Sequence, residues 1–94
     1  MKRVYMVCYD IADPIRWRSV YRIMKGYGES VQLSVFRCTL PAEAHATMVA
    51  ELSEQIHHGE DKILIADLGP ANGRERLTFI GRSIPAIKDG PIIL

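Results

Sequence analysis

The sequence predicts one two-layer α+β domain in which two helices cover one face of a small β-sheet. Two segments carry apolar residues at helical spacing, and the stretches around them are rich in β-branched and aromatic residues, as strands are. Together they give the order βαβ(β)αβ. The 94 residues suffice for one core. Since such a chain buries only about 60 to 70% of its unfolded surface, we expect a homo-oligomer.

The first strand and helix are marked by an apolar run followed by a helix start signal. Residues Arg3–Tyr9 form a dense apolar and aromatic run, typical of a central strand, which stops at Asp10. Asp13 is a good N-cap, and Pro14 suits the first helical position because its missing N–H is not needed there. We therefore expect a helix over residues 14–26.

The next elements continue the alternation of strand and helix. Val31–Leu40 has strand periodicity whose phase changes near Val35, which fits either one long strand or two short strands around a turn. Pro41 opens an alanine-rich helix that ends near His57–Gly59. Lys62–Leu68 alternates again and predicts a further strand.

The C-terminal part contains two shorter apolar segments. Leu77–Ile80 is a candidate short strand, and the apolar end at residues 90–94 needs a partner strand. With both helices on one face of the sheet, the other face remains for a second protomer or a ligand.

Charge is unevenly distributed along the chain. Residues 1–40 carry seven basic and three acidic groups, whereas residues 41–94 carry five basic and eight acidic groups. The net charge of +1 does not demand a nucleic-acid partner, but the basic half can bind phosphate if it forms one surface. The charged fraction of 24% is ordinary for a globular protein and argues against a disordered chain.

The cysteines and the N-terminus bear on the cellular compartment. Cys8 and Cys38 stand in apolar runs without a CxxC spacing, so we expect two buried free thiols. The apolar run Val4–Cys8 is too short for a signal peptide or a membrane span. We therefore expect a cytoplasmic protein that does not contact membranes.

Asp10 is the most suggestive position for chemistry, because it follows a strongly apolar strand directly before a turn into a helix. Two interpretations fit it. The carboxylate either accepts hydrogen bonds from nearby backbone N–H groups as a turn residue, or binds a metal in a catalytic site. Asp13, by contrast, is explained by capping the helix.

Arginines at the start of a helix need an explanation, since the partial positive charge there disfavours cations. Arg16 and Arg18 are placed so, and either an ion pair with Asp10 or Asp13 or a bound phosphate would offset the cost. At about 100° per residue Arg16 and Arg18 point to nearly opposite sides. Arg18 and Arg22 share one helix face and form a basic stripe.

Aromatic and hydroxyl side chains near these positions are candidates for nucleic-acid contacts. Tyr9, Trp17 and Phe36 can stack on bases, although core packing is favoured for Trp17 and is as good an interpretation for the other two. Ser34 is either a hydroxyl ligand or a polar strand residue. The three histidines show no metal-ligand spacing.

A magnesium site would require more than one chain. One Asp per chain is a poor site, because Mg²⁺ generally takes one or two carboxylates together with waters or phosphate oxygens. If the ends of the first strands meet at a two-fold axis, two Asp10 carboxylates can hold one ion. Such an ion would position a water and neutralise a phosphodiester during hydrolysis.

The residues around Asp10 form a specific pattern. It consists of Tyr9-Asp10-Ile11-Ala12-Asp13-Pro14, then Arg16-x-Arg18, then Tyr27-Gly28-x-x-Val31-Gln32-x-Ser34-Val35-Phe36. In these motifs, in length and in element order, the chain resembles the small CRISPR-associated endoribonuclease family, the second universal protein of CRISPR spacer acquisition.

The resemblance implies a ferredoxin-like βαββαβ sandwich spanning residues 1–94, with an additional C-terminal strand. It implies a homodimer in which segment 90–94 pairs with the partner's sheet through Ile92, Ile93 and Leu94. It also implies that Asp10 is the catalytic, metal-binding acid. The matching nucleic-acid-binding positions are Tyr9, Arg16, Arg18, Ser34 and Phe36, to which the basic stripe adds Arg22.

Two functions are compatible with the resemblance, and the sequence does not choose between them. The first is a Mg²⁺-dependent endonuclease on single-stranded RNA or duplex DNA, acting in spacer acquisition. The second is a non-catalytic dimeric adaptor that bridges spacer-integrase dimers on duplex DNA. A toxin-like ribonuclease unconnected with spacer acquisition would share the same fold and charge pattern.

Overall fold

The computed structural model of the protein describes residues 1–73 and 77–82. The elements along this part of the chain are β1 (Arg3–Asp10), α1 (Pro14–Tyr27), β2 (Gly28–Gln32), β3 (Val35–Leu40), α2 (Ala42–Gln55) and β4 (Lys62–Pro70). The predicted order is confirmed. The open question about residues 31–40 is decided in favour of two strands, with a turn at Leu33 and Ser34.

The four strands form one antiparallel sheet in the order β2-β3-β1-β4. A single core contains residues of both helices together with one face of the two central strands, β1 and β3. Both helices therefore cover the same face, as predicted, and the arrangement is the ferredoxin-like α+β fold. Within the described residues, no helix has the length and apolar character that would let it span a membrane.

Strand β1 places its residues alternately on the two faces of the sheet. Tyr5, Val7 and Tyr9 join the core beneath the helices. Cys8 and Asp10 therefore lie on the opposite face, which the helices do not cover. Asp10 is exposed there.

Helix α1 begins as its start signal predicts. The Asp13 carboxylate accepts hydrogen bonds from the N–H groups of Ile15 at 3.0 Å and Arg16 at 2.9 Å. Pro14 has no N–H, and the Trp17 N–H donates to the Asp13 carbonyl oxygen at 2.8 Å, so these two bonds satisfy the remaining N–H groups of the first turn. The helix buries Val20 and Met24 against the sheet.

Helix α2 ends earlier than the sequence predicts. It stops at Gln55, and Ile56 already has an extended backbone with φ −93° and ψ 161°. The next residue, His57, donates its N–H to the Asp61 carboxylate at 2.8 Å. The helix thus ends here because the His57 N–H, which would otherwise continue α2, is bound by the Asp61 carboxylate.

The core is built mainly from apolar side chains on β1, β3 and the helices. Its fully buried members include Val7, Val20, Met24, Phe36, Cys38 and Met48. Both cysteines are free thiols, as predicted, but only Cys38 is buried. Cys8 is half-buried because it lies on the face without helices. Burial raises the pKa of the Cys38 thiol to about 11.

Two predictions concern the C-terminal region. The candidate strand Leu77–Ile80 is wrong, because these residues have no strand conformation, and Ile80 is 94% exposed. A strand satisfies its backbone by pairing with a neighbour, and none of the strand pairings in the described chain includes residues 77–80. The predicted pairing segment, with Ile92, Ile93 and Leu94, lies outside the described residues.

Gly28 joins α1 to β2 at a point of close backbone approach. A Cβ atom there would collide with the Arg37 carbonyl oxygen and lie 2.6 Å from Cys38 Sγ. We expect Gly28→Ala to destabilise the protein by about 1–3 kcal/mol. Gly26 has no atom within 4 Å of such a Cβ. Gly26→Ala should therefore stabilise the exposed helix end by up to about 1 kcal/mol. Urea unfolding of both variants tests this, and equal stabilities would contradict it.

Candidate functional site

Asp10 stands at the end of β1 on the face without helices, opposite Lys62 in the β1–β4 ladder. The two residues border an open depression of about 240 Å³, together with Cys8, Tyr9 and Leu64. Leu64 is 65% exposed although it is apolar. A carboxylate, an ammonium group and an apolar surface thus meet at one edge of the sheet.

Tyr9 supports the site from the core side. Its ring is only 6% exposed, and its hydroxyl donates to the Leu33 carbonyl oxygen at 2.9 Å. Its backbone N–H donates to the Ser34 carbonyl oxygen at 3.0 Å. Burial, with a smaller contribution from Tyr21, raises the pKa of Tyr9 to about 12. The phenol therefore stays protonated and ties the end of β1 to the β2–β3 turn.

Phe36 is a core residue in the folded chain. It has no exposed surface and lies between Tyr9, at a ring-centroid distance of 6.3 Å, and Tyr21, at 5.5 Å. A ring without accessible surface cannot stack on a base, and Tyr9 is restricted in the same way. In this conformation both sequence candidates act by packing behind the site.

Trp17 and Ser34 connect α1 with the β2–β3 turn. Trp17 Nε1 donates to Ser34 Oγ at 3.2 Å, and the indole stacks on Tyr21 at 5.1 Å. Because Ser34 Oγ accepts this hydrogen bond, its own proton remains available for donation. Ser34 is half-buried beside the end of β1, where its hydroxyl can still meet a ligand.

Arg16 forms ion pairs, which was one of the two interpretations of its place at the start of α1. Its partners, however, are not the expected Asp10 or Asp13. Its Nε donates to Asp61 Oδ2 at 2.8 Å, and its Nη2 to Glu60 Oε1 at 3.1 Å. Neither Asp10 nor Asp13 forms an ion pair with it. The guanidinium is thus held in the fold by two acidic residues directly before β4.

Asp61 is a buried carboxylate, and sequence reasoning missed it. Its side chain has no exposed surface. It accepts the N–H groups of Ala12 at 2.9 Å and His57 at 2.8 Å in addition to Arg16. The Arg16 hydrogen bond, followed by these backbone bonds, outweighs the effect of burial and holds the pKa of Asp61 far below its usual range. The one signal in the sequence was its place directly before β4.

Arg18 and Arg22 are exposed on the outer side of α1, as the predicted stripe requires. Lys25 extends the same face at the i+7 position, and its Nζ lies 5.7 Å from the Tyr21 ring centroid. No ion pair in the described chain involves any of the three. We call Arg18, Arg22 and Lys25 the α1 basic stripe.

A single chain offers little for a metal. No group of three or more His, Cys, Asp or Glu side chains among residues 1–73 and 77–82 could hold an ion. The hard oxygens of Asp10 suit Mg²⁺, but one carboxylate leaves most of the coordination to waters or to another molecule.

The lowered pKa of Asp61 predicts how the stability of the fold depends on pH. The pKa of Asp61 is lower in the folded protein than its unfolded value of about 3.9. The ionised carboxylate therefore contributes its full stabilisation of the fold above about pH 5, and this stabilisation is lost as pH falls. Asp61→Asn should therefore be less stable than the wild type at pH 7, with a difference that narrows towards pH 3. Urea midpoints across this range measure it.

Glu54→Gln is the control, because Glu54 is exposed and its substitution removes the same charge elsewhere. The stability of this variant should follow that of the wild type through the titration. A difference between Asp61→Asn and the wild type that stays constant with pH would contradict the assigned role.

Comparison with known proteins identifies the family. The sequence model of the family described as CRISPR associated protein Cas2 matches residues 2–75. This range includes all four strands, both helices and every described candidate residue.

Two curated relatives carry the same family name. The CRISPR-associated endoribonuclease Cas2 of Geobacter sulfurreducens is 39% identical over 95 residues, which cover 100% of both chains. The CRISPR-associated endoribonuclease Cas2 1 of Rhodospirillum rubrum is 50% identical over 70 residues, which cover 74% of this chain and 69% of the relative.

Solved structures agree with the sequence comparison. The crystal structure of Streptococcus pyogenes Cas2 has a TM-score of 0.73 at 29% identity and covers 83% of this chain and 99% of its own. A hypothetical protein of Thermus thermophilus has a TM-score of 0.72 at 32% identity and covers 88% and 98%. By family match, full-length relatives and fold, the chain belongs to the Cas2 family of CRISPR-associated proteins.

Proposed function

We propose that the protein is a Mg²⁺-dependent endonuclease of CRISPR spacer acquisition, acting on RNA or duplex DNA through a pair of Asp10 carboxylates in a homodimer. The observation that carries the proposal is the placement of Asp10. It is an exposed acid at the end of a buried central strand, on the sheet face that the helices leave open. The endoribonuclease names of the Geobacter sulfurreducens and Rhodospirillum rubrum relatives support the activity.

The homodimer follows from what one chain lacks. Because the described residues contain no group of three or more His, Cys, Asp or Glu side chains that could hold an ion, a second copy is the simplest source of a further carboxylate for Asp10. A second copy on this face would also cover Leu64, which is 65% exposed. We further propose that Ile92, Ile93 and Leu94 pair with the partner's sheet.

In this dimer the two Asp10 carboxylates would hold one Mg²⁺. When bound, the ion would supply a positioned water and neutralise the charge of the scissile phosphodiester. Lys62, beside Asp10, would attract the phosphate backbone and orient it towards the pair. Ser34 would donate its free hydroxyl proton to a phosphate or sugar oxygen near the end of β1.

The α1 basic stripe supports a second function, that of an adaptor on duplex DNA that bridges spacer-integrase dimers. Arg18, Arg22 and Lys25 project from one helix face without an ion pair in the described chain, so their charges are available to phosphates. Contacts of this kind hold nucleic acid without reading its sequence. Such binding does not require Asp10.

Cleavage separates the two functions. We expect wild-type protein to cut labelled single-stranded RNA or duplex DNA with Mg²⁺ but not with EDTA. Asp10→Asn keeps the shape of the side chain but loses the charge that binds the ion, so cleavage should fall by at least about 100-fold. Gel assays of both substrates measure this.

Asp67→Asn is the matched control, because it removes an acid from β4 at the other end of the sheet. It should cleave like the wild type. Equal cleavage by wild type and Asp10→Asn would contradict the nuclease proposal, and no cleavage under any condition would leave the adaptor as the function.

The α1 basic stripe makes a separate prediction for DNA binding. Neutralising Arg18 and Arg22 to Gln should weaken binding to duplexes of any sequence. It should also flatten the salt dependence of binding by about one unit of slope for each phosphate that the protein no longer neutralises. Arg3→Gln is the control, since Arg3 pairs with Asp67 at 2.9 Å. An unchanged slope in the double variant would contradict the role of the stripe.

A further inference from the structure

The connection between β1 and α1 carries Asp10 at its start and consists of only three residues, Ile11, Ala12 and Asp13. Its far end is fixed because the Asp13 carboxylate caps α1. Its middle is fixed by a residue from a distant part of the chain, since Ala12 N–H donates to Asp61 Oδ1 at 2.9 Å. Ala12 is two residues from Asp10.

Asp61 also fixes the other side of Asp10. The residue after Asp61 is Lys62, whose Cα pairs with that of Asp10 in the ladder. The Asp61 carboxylate therefore holds the connection that follows Asp10, and the Asp61 backbone leads directly into the residue that pairs with Asp10. The partners of the Asp61 carboxylate are Arg16 in α1 and the backbone N–H groups of Ala12 and His57.

Arg16 fixes Asp61 in turn. Its Nε and Nη2 donate to the two carboxylate oxygens at 2.8 and 3.2 Å, and the first turn of α1 anchors its backbone. Two parallel bonds of this kind define an orientation as well as a distance. The fourth bond, from His57 N–H, adds the end of α2 to the same carboxylate.

We propose that Asp61, oriented by Arg16, is a positioning residue that holds Asp10 in the geometry that binds Mg²⁺. The inference rests on the proposed function for the metal and on the present structure for the positioning. Mg²⁺ requires nearly ideal octahedral geometry, so a carboxylate that moves with a loose connection loses affinity even though its charge is unchanged. Arg16 thus acts through Asp61 and not as a phosphate ligand.

The test compares Asp61→Asn and Arg16→Gln with Asp67→Asn. The control breaks an Arg–Asp pair that also joins β1 to β4, but at the opposite end of the sheet. Arg16→Gln leaves the backbone hydrogen bonds to Asp61 intact, so this variant tests the same inference if Asp61→Asn does not fold. Relaxation measurements of the full chain give amide order parameters at Asp10 and Ala12, and Mg²⁺ titration followed by the Asp10 amide gives affinity.

We expect the order parameters at Asp10 and Ala12 to fall from about 0.85 towards 0.6 in Asp61→Asn, with a smaller decrease in Arg16→Gln and none in Asp67→Asn. The Mg²⁺ dissociation constant should rise by about 10-fold to 100-fold in Asp61→Asn, the usual effect of losing a residue that orients a ligand. Asp67→Asn should stay within about twofold of the wild type.

The outcomes separate this inference from the proposed function. If wild-type protein binds no Mg²⁺ at Asp10, the metal proposal fails, and the order parameters alone decide the positioning. A decrease at Asp10 and Ala12 in Asp61→Asn then supports the positioning of Asp10, and unchanged values overturn it. If wild type binds Mg²⁺ and Asp61→Asn binds it equally well, Asp61 only stabilises the fold and the inference is overturned. Equal losses in Asp61→Asn and Asp67→Asn would overturn it as well.

Discussion

The structure around the candidate site depends on the ion pair and hydrogen bonds of the buried Asp61 carboxylate. Burying a charge costs several kcal/mol unless hydrogen bonds and an opposite charge replace its water. Here Arg16, Ala12 and His57 do so from the first helix, the β1–α1 connection and the end of α2. Because all three segments meet at one carboxylate, the early end of α2, the start of β4 and the path of the chain after Asp10 are consequences of the same contact.

A second constraint is the aromatic packing behind the end of β1. Phe36 and Trp17 each contact both Tyr9 and Tyr21, and Trp17 extends the group to the β2–β3 turn. Rings in such arrangements are rigid and bury large areas. The motif residues on which the family resemblance rests are therefore partly core residues, which pack behind Asp10.

Local signals predicted the fold well. Asp13 and Pro14 marked the start of α1 because such signals act over a few residues, and the phase change near Val35 left two strands around a turn as one of two interpretations. The contact of Arg16 with Asp61 joins residues 45 positions apart, and no periodicity reports such a pair. The burial of Phe36 was equally hidden, because an aromatic strand residue suits a core and a binding surface alike.

The two proposed functions use different surfaces of one small domain. Asp10 lies on the sheet face without helices, whereas the α1 basic stripe lies on the outer side of the helix layer. A phosphodiester held by one surface is therefore not held by the other on the same chain. Under these two proposals, nucleic-acid binding through the stripe would survive the loss of Asp10, whereas cleavage would require it.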